Sequence, residues 1–238
     1  MITPNANLTK RISTMAALIA VLVLGAACQT IRPTGPPSGD TPVVFVHGWN
    51  GNETLWDTAV EQFHDAGYTT GDITVVYYDS SISAVEASAI LATEVDHLRD
   101  NTGHDRVDIV SHSLGSMVTR HCIELGGCAD KVDHWMSLAG ADNGTSIAGL
   151  CAALQPSCAD MAGQTSTIAD LQAAWGQIAE QGVQVEVQWS ANDGVILPAT
   201  NSQNPAPAVN VEVDSALGHN DLPADPGVLS ETIAFFDR

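Results

Sequence analysis

Positive charge is scarce in this chain: Lys and Arg number 8 against 28 Asp and Glu in 238 residues, a formal charge of −20. With no basic cluster to offset it, that balance opposes nucleic acid and anionic lipid surfaces, and neither is expected as a partner. Repeats are missing too. Nothing recurs at a period of roughly 20 to 50 residues, which argues against a solenoid or a propeller. The apolar run Met15 to Ala27 is shorter than the roughly 20 residues of a comfortable membrane span. No Cys-x-x-Cys spacing occurs, and His121 beside Cys122 does not supply a ligand pattern, so no metal site is expected.

What the chain does have begins with an export signal over residues 1–27: Lys10-Arg11 is a basic n-region, and the apolar run ends in Gly25-Ala26-Ala27. Cys28 follows directly. The Leu24-to-Cys28 junction resembles a bacterial lipoprotein signal, whose cysteine is acylated after cleavage, although Gly25 stands where such signals carry a Leu-like residue. Cleavage after Ala27 without acylation gives a secreted protein instead, so lipid anchoring through Cys28 and free secretion both stay open. Either way export is expected. Four other cysteines remain, and export allows them to oxidise. Of three connectivities, the short separations favour Cys122 with Cys128 and Cys151 with Cys158.

Residues 28–40 are rich in Pro, Gly, Thr and Ser, a composition suited to a tether. The remaining residues, 41–238, suffice for one domain with a real core, expected to act as a monomer. Val43 to Val46 is a continuous apolar run of the kind that a strand buried on both faces requires, and it runs into His47-Gly48-Trp49-Asn50-Gly51. Helical spacing covers Thr54 to Gly67 and Ala84 to Arg99, with Ile73 to Tyr78 a strand between them. Val107 to Val110 reads as a strand, and Gly115 to Leu125 as a helix stopped by Gly126-Gly127. Further strands are expected at Val132 to Leu138, Val183 to Trp189 and Val209 to Val213, and helices at Ile168 to Gln181 and Leu229 to Phe236. Ala141 to Thr167, small and polar and holding Cys151 and Cys158, reads as a loop or a short cap over a site. This βαβα alternation predicts an α/β fold with a mostly parallel central sheet covered by helices on both faces.

In such sheets the working residues sit at the carboxyl ends of strands. Ser113, between Ser111 and Gly115, occupies a strand-to-helix turn, where a serine is either a loop residue or an exposed nucleophile. As a nucleophile it needs a histidine base, and the base needs an acid. Only His121, His134 and His219 follow Ser113, and of these only His219 lies beyond a strand's carboxyl end. Asp193, after the strand ending at Trp189, is the best-placed acid; Asp142 and Asp214 are the other candidates. Backbone N–H groups of Leu114 and Trp49 are expected to hold the oxyanion of a tetrahedral intermediate. His47 reads as a loop-bracing residue and His112 as packing or lining the mouth of the site. Trp49, Trp189, Ile196 and Leu197 could line an apolar groove or pack in the core.

Taken in order, Val43 to Gly51, Val107 to Gly115, Ser137 to Ala141, Ala191 to Ile196 and Leu217-Gly218-His219 resemble the motifs of the small secreted bacterial lipases of the α/β-hydrolase superfamily, the minimal Bacillus-type group. The likeness spans Thr41 to the C-terminus. It implies a compact α/β-hydrolase fold with little or no lid, and hydrolysis of lipid-like carboxylic esters without metal or organic cofactor. Two positions depart from the pattern: Ser111 replaces a Gly or Ala, and Ser116 stands where a second glycine is frequent. The 141–167 segment is also unlike the minimal group. An acyltransferase using the same acyl-enzyme, and a hydrolase-like lipoprotein that binds without turnover, are the alternative readings.

Overall fold

The computed structural model describes residues 41–238, so the expected signal (1–27), the tether (28–40) and Cys28 lie outside the described residues. Six strands form one parallel sheet: β1 (Val43–Val46), β2 (Ile73–Val76), β3 (Val107–His112), β4 (Val132–Leu138), β5 (Gln184–Trp189) and β6 (Val209–Glu212), in the order β2-β1-β3-β4-β5-β6. Parallel neighbours demand crossovers, and the helices supply them. The helices are α1 (Asp57–Asp65), α2 (Ala84–Thr102), α3 (Leu114–Glu124), α4 (Pro156–Met161), α5 (Ser166–Ala174), α6 (Gly176–Glu180) and α7 (Pro226–Phe236).

Two apolar layers follow from the period of two along each strand. Val44, Val46 and Ile109 face a layer with Leu91 and Val95 of α2 and Met117 of α3. Val43, Phe45 and Val110 face the opposite layer, with Phe63 of α1 and Leu229 of α7. All four residues of β1 are fully buried, as their unbroken apolar run requires. The register places Val46 opposite Ser111 and Ser111 opposite Ser137, so the loops leaving β1, β3 and β4 emerge side by side.

Several boundaries differ from expectation for local reasons. The expected helix 168–181 is two, α5 and α6, broken at Trp175, whose indole N–H donates to the Ala206 carbonyl at 3.0 Å and whose ring lies 4.9 Å from the Arg120 guanidinium. The final helix starts at Pro226 rather than Leu229, because the Asp225 carboxylate caps it by accepting from the Gly227 and Val228 amides, both at 2.9 Å. A 3-10 turn, Glu53–Trp56, precedes α1, so that helix begins at Asp57. The 141–167 segment folds as a 3-10 turn (Ser146–Leu150) and α4. Disulfides join Cys122 to Cys128 and Cys151 to Cys158, the neighbour pairing. Among the described residues, no helix is long and apolar enough to cross a membrane.

Candidate active site

Ser113 ends the run from β3 and immediately precedes the first residue of α3. Its φ of 57° and ψ of −125° put a non-glycine residue in a left-handed conformation, which costs on the order of 1–3 kcal/mol and must be held by its surroundings. The holding contacts are explicit. The Ser113 amide donates to the Leu138 carbonyl at 3.1 Å, and the Ser113 carbonyl accepts from the Ser116 and Ala141 amides at 3.0 and 2.9 Å. Gly115 lets α3 close on β1: a Cβ there would stand 2.5 Å from the carbonyl oxygens of both Val46 and His47. Gly48 plays the same part from the other side, since its Cβ would fall 2.7 Å from the Ser113 Cβ. The loop after β1 therefore lies directly against Ser113, and Trp49 is its next residue.

Asp193 and His219, at the ends of β5 and β6 loops, are paired. His219 Nδ1 donates to Asp193 Oδ2 at 2.9 Å, and the His219 amide donates to the Asp193 carbonyl at 3.1 Å. Asp193 Oδ1 meanwhile accepts from the Val195 and Ile196 amides at 2.9 and 2.6 Å. Burial alone would raise this carboxyl, but the bonds and charge from His219 and the two amides outweigh it and hold its pKa below the usual value. The two loops are zipped elsewhere too, by Ser190 Oγ to the Leu217 carbonyl at 2.6 Å and Asn192 Nδ2 to the Ser215 carbonyl at 2.7 Å.

His112, adjacent to Ser113, connects that pair to the strand-helix turn. Its Nε2 donates to the His219 carbonyl at 3.0 Å, and the two rings lie 4.6 Å apart. Burial, followed by the neighbouring His219, pushes the His112 pKa down to about 3, so it serves as a neutral donor. It also lines a cleft of about 270 Å³ with Gly48, Trp49, Asn52, Leu55 and Asn220. A larger depression of about 670 Å³ elsewhere is lined by Asp57, Val60, Glu61, His64, Asp65 and Val75.

The remaining candidates sort themselves by partner. His47 stacks on Tyr78 at 4.3 Å, donates from Nδ1 to the Gly48 carbonyl at 2.8 Å and accepts at Nε2 from the Tyr78 amide at 3.4 Å, the bracing role expected of it. Burial lowers its pKa against the pull of those backbone bonds. His121 bonds Ser88 Oγ at 2.7 Å on α2, and His134 pairs with Asp108 at 2.8 Å near the start of β3. Asp214 Oδ1 accepts from the Ala216 amide at 2.9 Å in its own loop. Of the four side chains weighed for an apolar groove, Ile196 is core and Trp189 packs against it, whereas Trp49 and Leu197 are exposed.

A profile of the class 2 lipases matches residues 40–220. The chain belongs to the class 2 lipase family. Among solved structures it is similar to Bacillus licheniformis lipase BlEst2 in its mature form, with a TM-score of 0.72 and 16% identity over 86% of this chain and 95% of that one. Aspergillus fumigatus lipase B gives 0.70 and 16% over 84% of this chain and 53% of that one. The lin2722 product of Listeria innocua gives 0.64 and 15%, covering 84% and 94%. At such identities the structural likeness establishes the α/β-hydrolase fold, and the family match makes this an ester hydrolase.

In this lipase-family chain the two departures from the family pattern belong to one buried chain of hydrogen bonds. Trp135 Nε1 donates to Ser111 Oγ at 2.8 Å, Ser111 and Ser116 hydroxyls lie 3.0 Å apart, Ser116 and Ser137 likewise, and Ser137 donates to Asp142 Oδ2 at 3.0 Å. Asp142 is thus committed to bracing the turn rather than to His219; burial raises its pKa to about 6, against the pull of Arg120, Ser137 and Asn204. Arg120, fully buried, anchors the same region, with Nε on Glu124 at 2.7 Å, Nη1 on the Asp142 carbonyl at 3.0 Å and Nη2 on the Leu171 carbonyl at 2.9 Å. Sequence reasoning missed Arg120 and Glu124. Their i, i+4 spacing on α3 was visible, but nothing in the sequence marked that face as buried.

Proposed function

We propose that this chain is a serine carboxylic ester hydrolase acting through an acyl-enzyme on Ser113, with His219 as base and Asp193 as its orienting acid. The observation that carries the reading is the His219–Asp193 pair fastened through His112 to a serine held in a left-handed strand-to-helix turn. With Asp193 accepting from Nδ1, the His219 proton sits on Nδ1 and Nε2 is left as a proton acceptor. His219 Nε2 takes the Ser113 hydroxyl proton as Oγ attacks the acyl carbonyl, the C=O π bond opens onto oxygen, and the alcohol leaves with the proton returned by His219. Water then repeats the sequence and releases the acid.

The oxyanion is held by the amides of Leu114 and Trp49. Leu114 is the first residue of α3, whose opening amides have no partner within the helix and whose N-terminal end favours negative charge. Trp49 follows Gly48, where a Cβ would fall 2.7 Å from the Ser113 Cβ. Such acyl transfer needs neither metal nor organic cofactor. The substrate class is a lipid or other carboxylic ester with an apolar acyl chain, and the two disulfides suit an exported protein, secreted or anchored through Cys28. Hydrolysis of p-nitrophenyl esters of increasing chain length tests this. Turnover by the wild type that Ser113→Ala abolishes is expected; a folded wild type inert on every ester would favour a binding protein.

A further inference from the structure

Asp108, the second residue of β3, is fully buried, and its Oδ2 has no hydrogen-bond partner. A buried carboxylate oxygen left bare is costly and calls for a donor or a cation. Burial raises this carboxyl to about 6, although His134 pulls the other way. Asp108 lies at the amino end of the sheet, whereas Ser113, Asp193 and His219 follow the carboxyl ends of β3, β5 and β6. The candidate active site therefore does not account for it.

The surroundings of Asp108 are set by an irregularity in the sheet. Val107 pairs with Val132 and Ile109 with Trp135, so two steps along β3 match three along β4, and Asp108 faces both Asp133 and His134. Adjacent residues of a regular strand point to opposite faces. A bulge re-aims one of them, which is why the sequence does not reveal the grouping. One donor atom from each of Asp108, Asp133 and His134 lies within 4.8 Å of the others. A zinc ion at about 2.0–2.2 Å from its ligands needs donors about 3.3 Å apart, so gathering the set takes a shift of roughly 1.5 Å. Asp133, with a side chain 41% exposed, is free to make it. Its Oδ1 lies 3.6 Å from Arg106 Nη1, but that guanidinium also donates to the Val132 and Gln181 carbonyls at 3.0 and 3.3 Å and keeps those partners when Asp133 turns.

His134 Nδ1 donates to Asp108 Oδ1 at 2.8 Å, and its Nε2 accepts from Gln184 Nε2 at 2.9 Å. When the imidazole proton passes to Nε2, the exposed Gln184 amide, turned over, accepts it through Oε1, and Nδ1 becomes a ligand with its second-shell partner in place. The rings of Phe235 and Phe236, 5.2 and 5.9 Å from the imidazole, wall the inner side. One neutral imidazole and two carboxylates balance a divalent charge and suit zinc, whereas calcium and magnesium require sets richer in oxygen. We propose that Asp108, Asp133 and His134 form a structural site for one zinc-class divalent cation that ties the amino ends of β3 and β4 together, with water completing the coordination on the Asp133 side.

The test needs no turnover, so it stands apart from the ester-hydrolase reading. The full chain, stripped with EDTA and returned to chelator-free buffer, is titrated with zinc chloride by equilibrium dialysis and by thermal unfolding, beside Asp133→Ala and Asp108→Asn. One zinc per wild-type chain is expected that both variants bind at least tenfold more weakly. Zinc at about a hundredfold excess over Kd should raise the wild-type Tm by roughly 5–10 °C, and equal calcium or magnesium should leave it unchanged. Without zinc, Asp133→Ala should melt within about 2 °C of the wild type, and it decides the matter alone if the buried Asp108→Asn does not fold. A wild type that holds no zinc, as an ordinary His–Asp pair would, overturns the proposal. So does zinc binding equal in the wild type and Asp133→Ala, which would mean an adventitious ion only, or a Tm rise that calcium matches.

Discussion

Asp193→Asn isolates the role of the acid because the structure dictates how the new amide must sit. Asp193 Oδ1 accepts from two backbone amides, Val195 at 2.9 Å and Ile196 at 2.6 Å, while Oδ2 accepts from His219 Nδ1 at 2.9 Å. Asparagine has one oxygen. Placing it on His219 would turn its NH2 against two buried N–H donors, forfeiting two hydrogen bonds at about 1 kcal/mol or more each. Placing it on the amides keeps both of those bonds and turns the NH2 toward His219 Nδ1, which then gives up its proton to Nε2 and accepts a hydrogen from the amide instead. The second arrangement wins, and in it His219 cannot accept the Ser113 proton. A preference of about 2 kcal/mol alone implies at least a 30-fold loss, and removing the charge that stabilises the imidazolium takes the expected fall in kcat to about four orders of magnitude, roughly 5.5 kcal/mol. KM should change little, since Asp193 is buried away from the cleft. The assay is steady-state hydrolysis of p-nitrophenyl butyrate at pH 8, with thermal unfolding as the fold control. A fall of less than tenfold in a folded variant would refute the assignment. Because the folded Asp193 pKa is lowered, the stability it contributes is present above the unfolded carboxyl pKa and lost as pH falls through the folded one. The variant's stability deficit should therefore shrink in acid.

Arg120→Met should destabilise the protein by about 3–5 kcal/mol, because it leaves Glu124 buried without its counter-charge, and lower Tm by about 6–20 °C. Burial already raises Glu124 to about 7 despite Arg120. The folded state thus binds a proton that the unfolded state releases, so stability falls as pH rises from the ordinary carboxyl range toward 7, and the Met variant should lose more at pH 8 than at pH 5 in urea melts. Equal deficits at both would contradict this. Gly115→Ala should cost about 1–3 kcal/mol and displace Ser113 enough to cut turnover, since its Cβ meets immovable backbone of Val46 and His47, whereas Gly176→Ala, with open space around it in α6, should be neutral or stabilising by up to about 1 kcal/mol. Matching effects from the two alanines, read by thermal melts and ester turnover, would show that the close approach of α3 to β1 is not what Gly115 provides.

Much of this arrangement is legible before any coordinates. The unbroken apolar run Val43 to Val46 could only be a strand covered on both faces, and Val132 to Leu138 is a strand at the bounds its residues suggest. The rule that working residues stand at strand ends singles out His219 over His121 and His134 as the candidate base, and those two are bonded elsewhere, to Ser88 and Asp108. What the sequence hid is what tertiary contact decides. Ser111 and Ser116 read as two tolerated substitutions, yet they are members of one buried chain whose other members are Trp135 and Ser137 of the neighbouring strand β4 and Asp142 of the loop that follows it. Asp142 sits at a strand end as a triad acid would, and only its partners show it bracing the turn. Trp175 interrupts a helix whose local propensity runs through it, because a carbonyl and a guanidinium outside the helix fix its side chain.

The most direct test of the account is covalent. Incubation of the folded protein with a fluorophosphonate, followed by intact mass and peptide mapping, should find one adduct, on Ser113, absent in Ser113→Ala and formed far more slowly in Asp193→Asn. A single adduct on a different serine, or a folded wild type that takes no label, would contradict the claim that the strained turn between β3 and α3 holds the nucleophile.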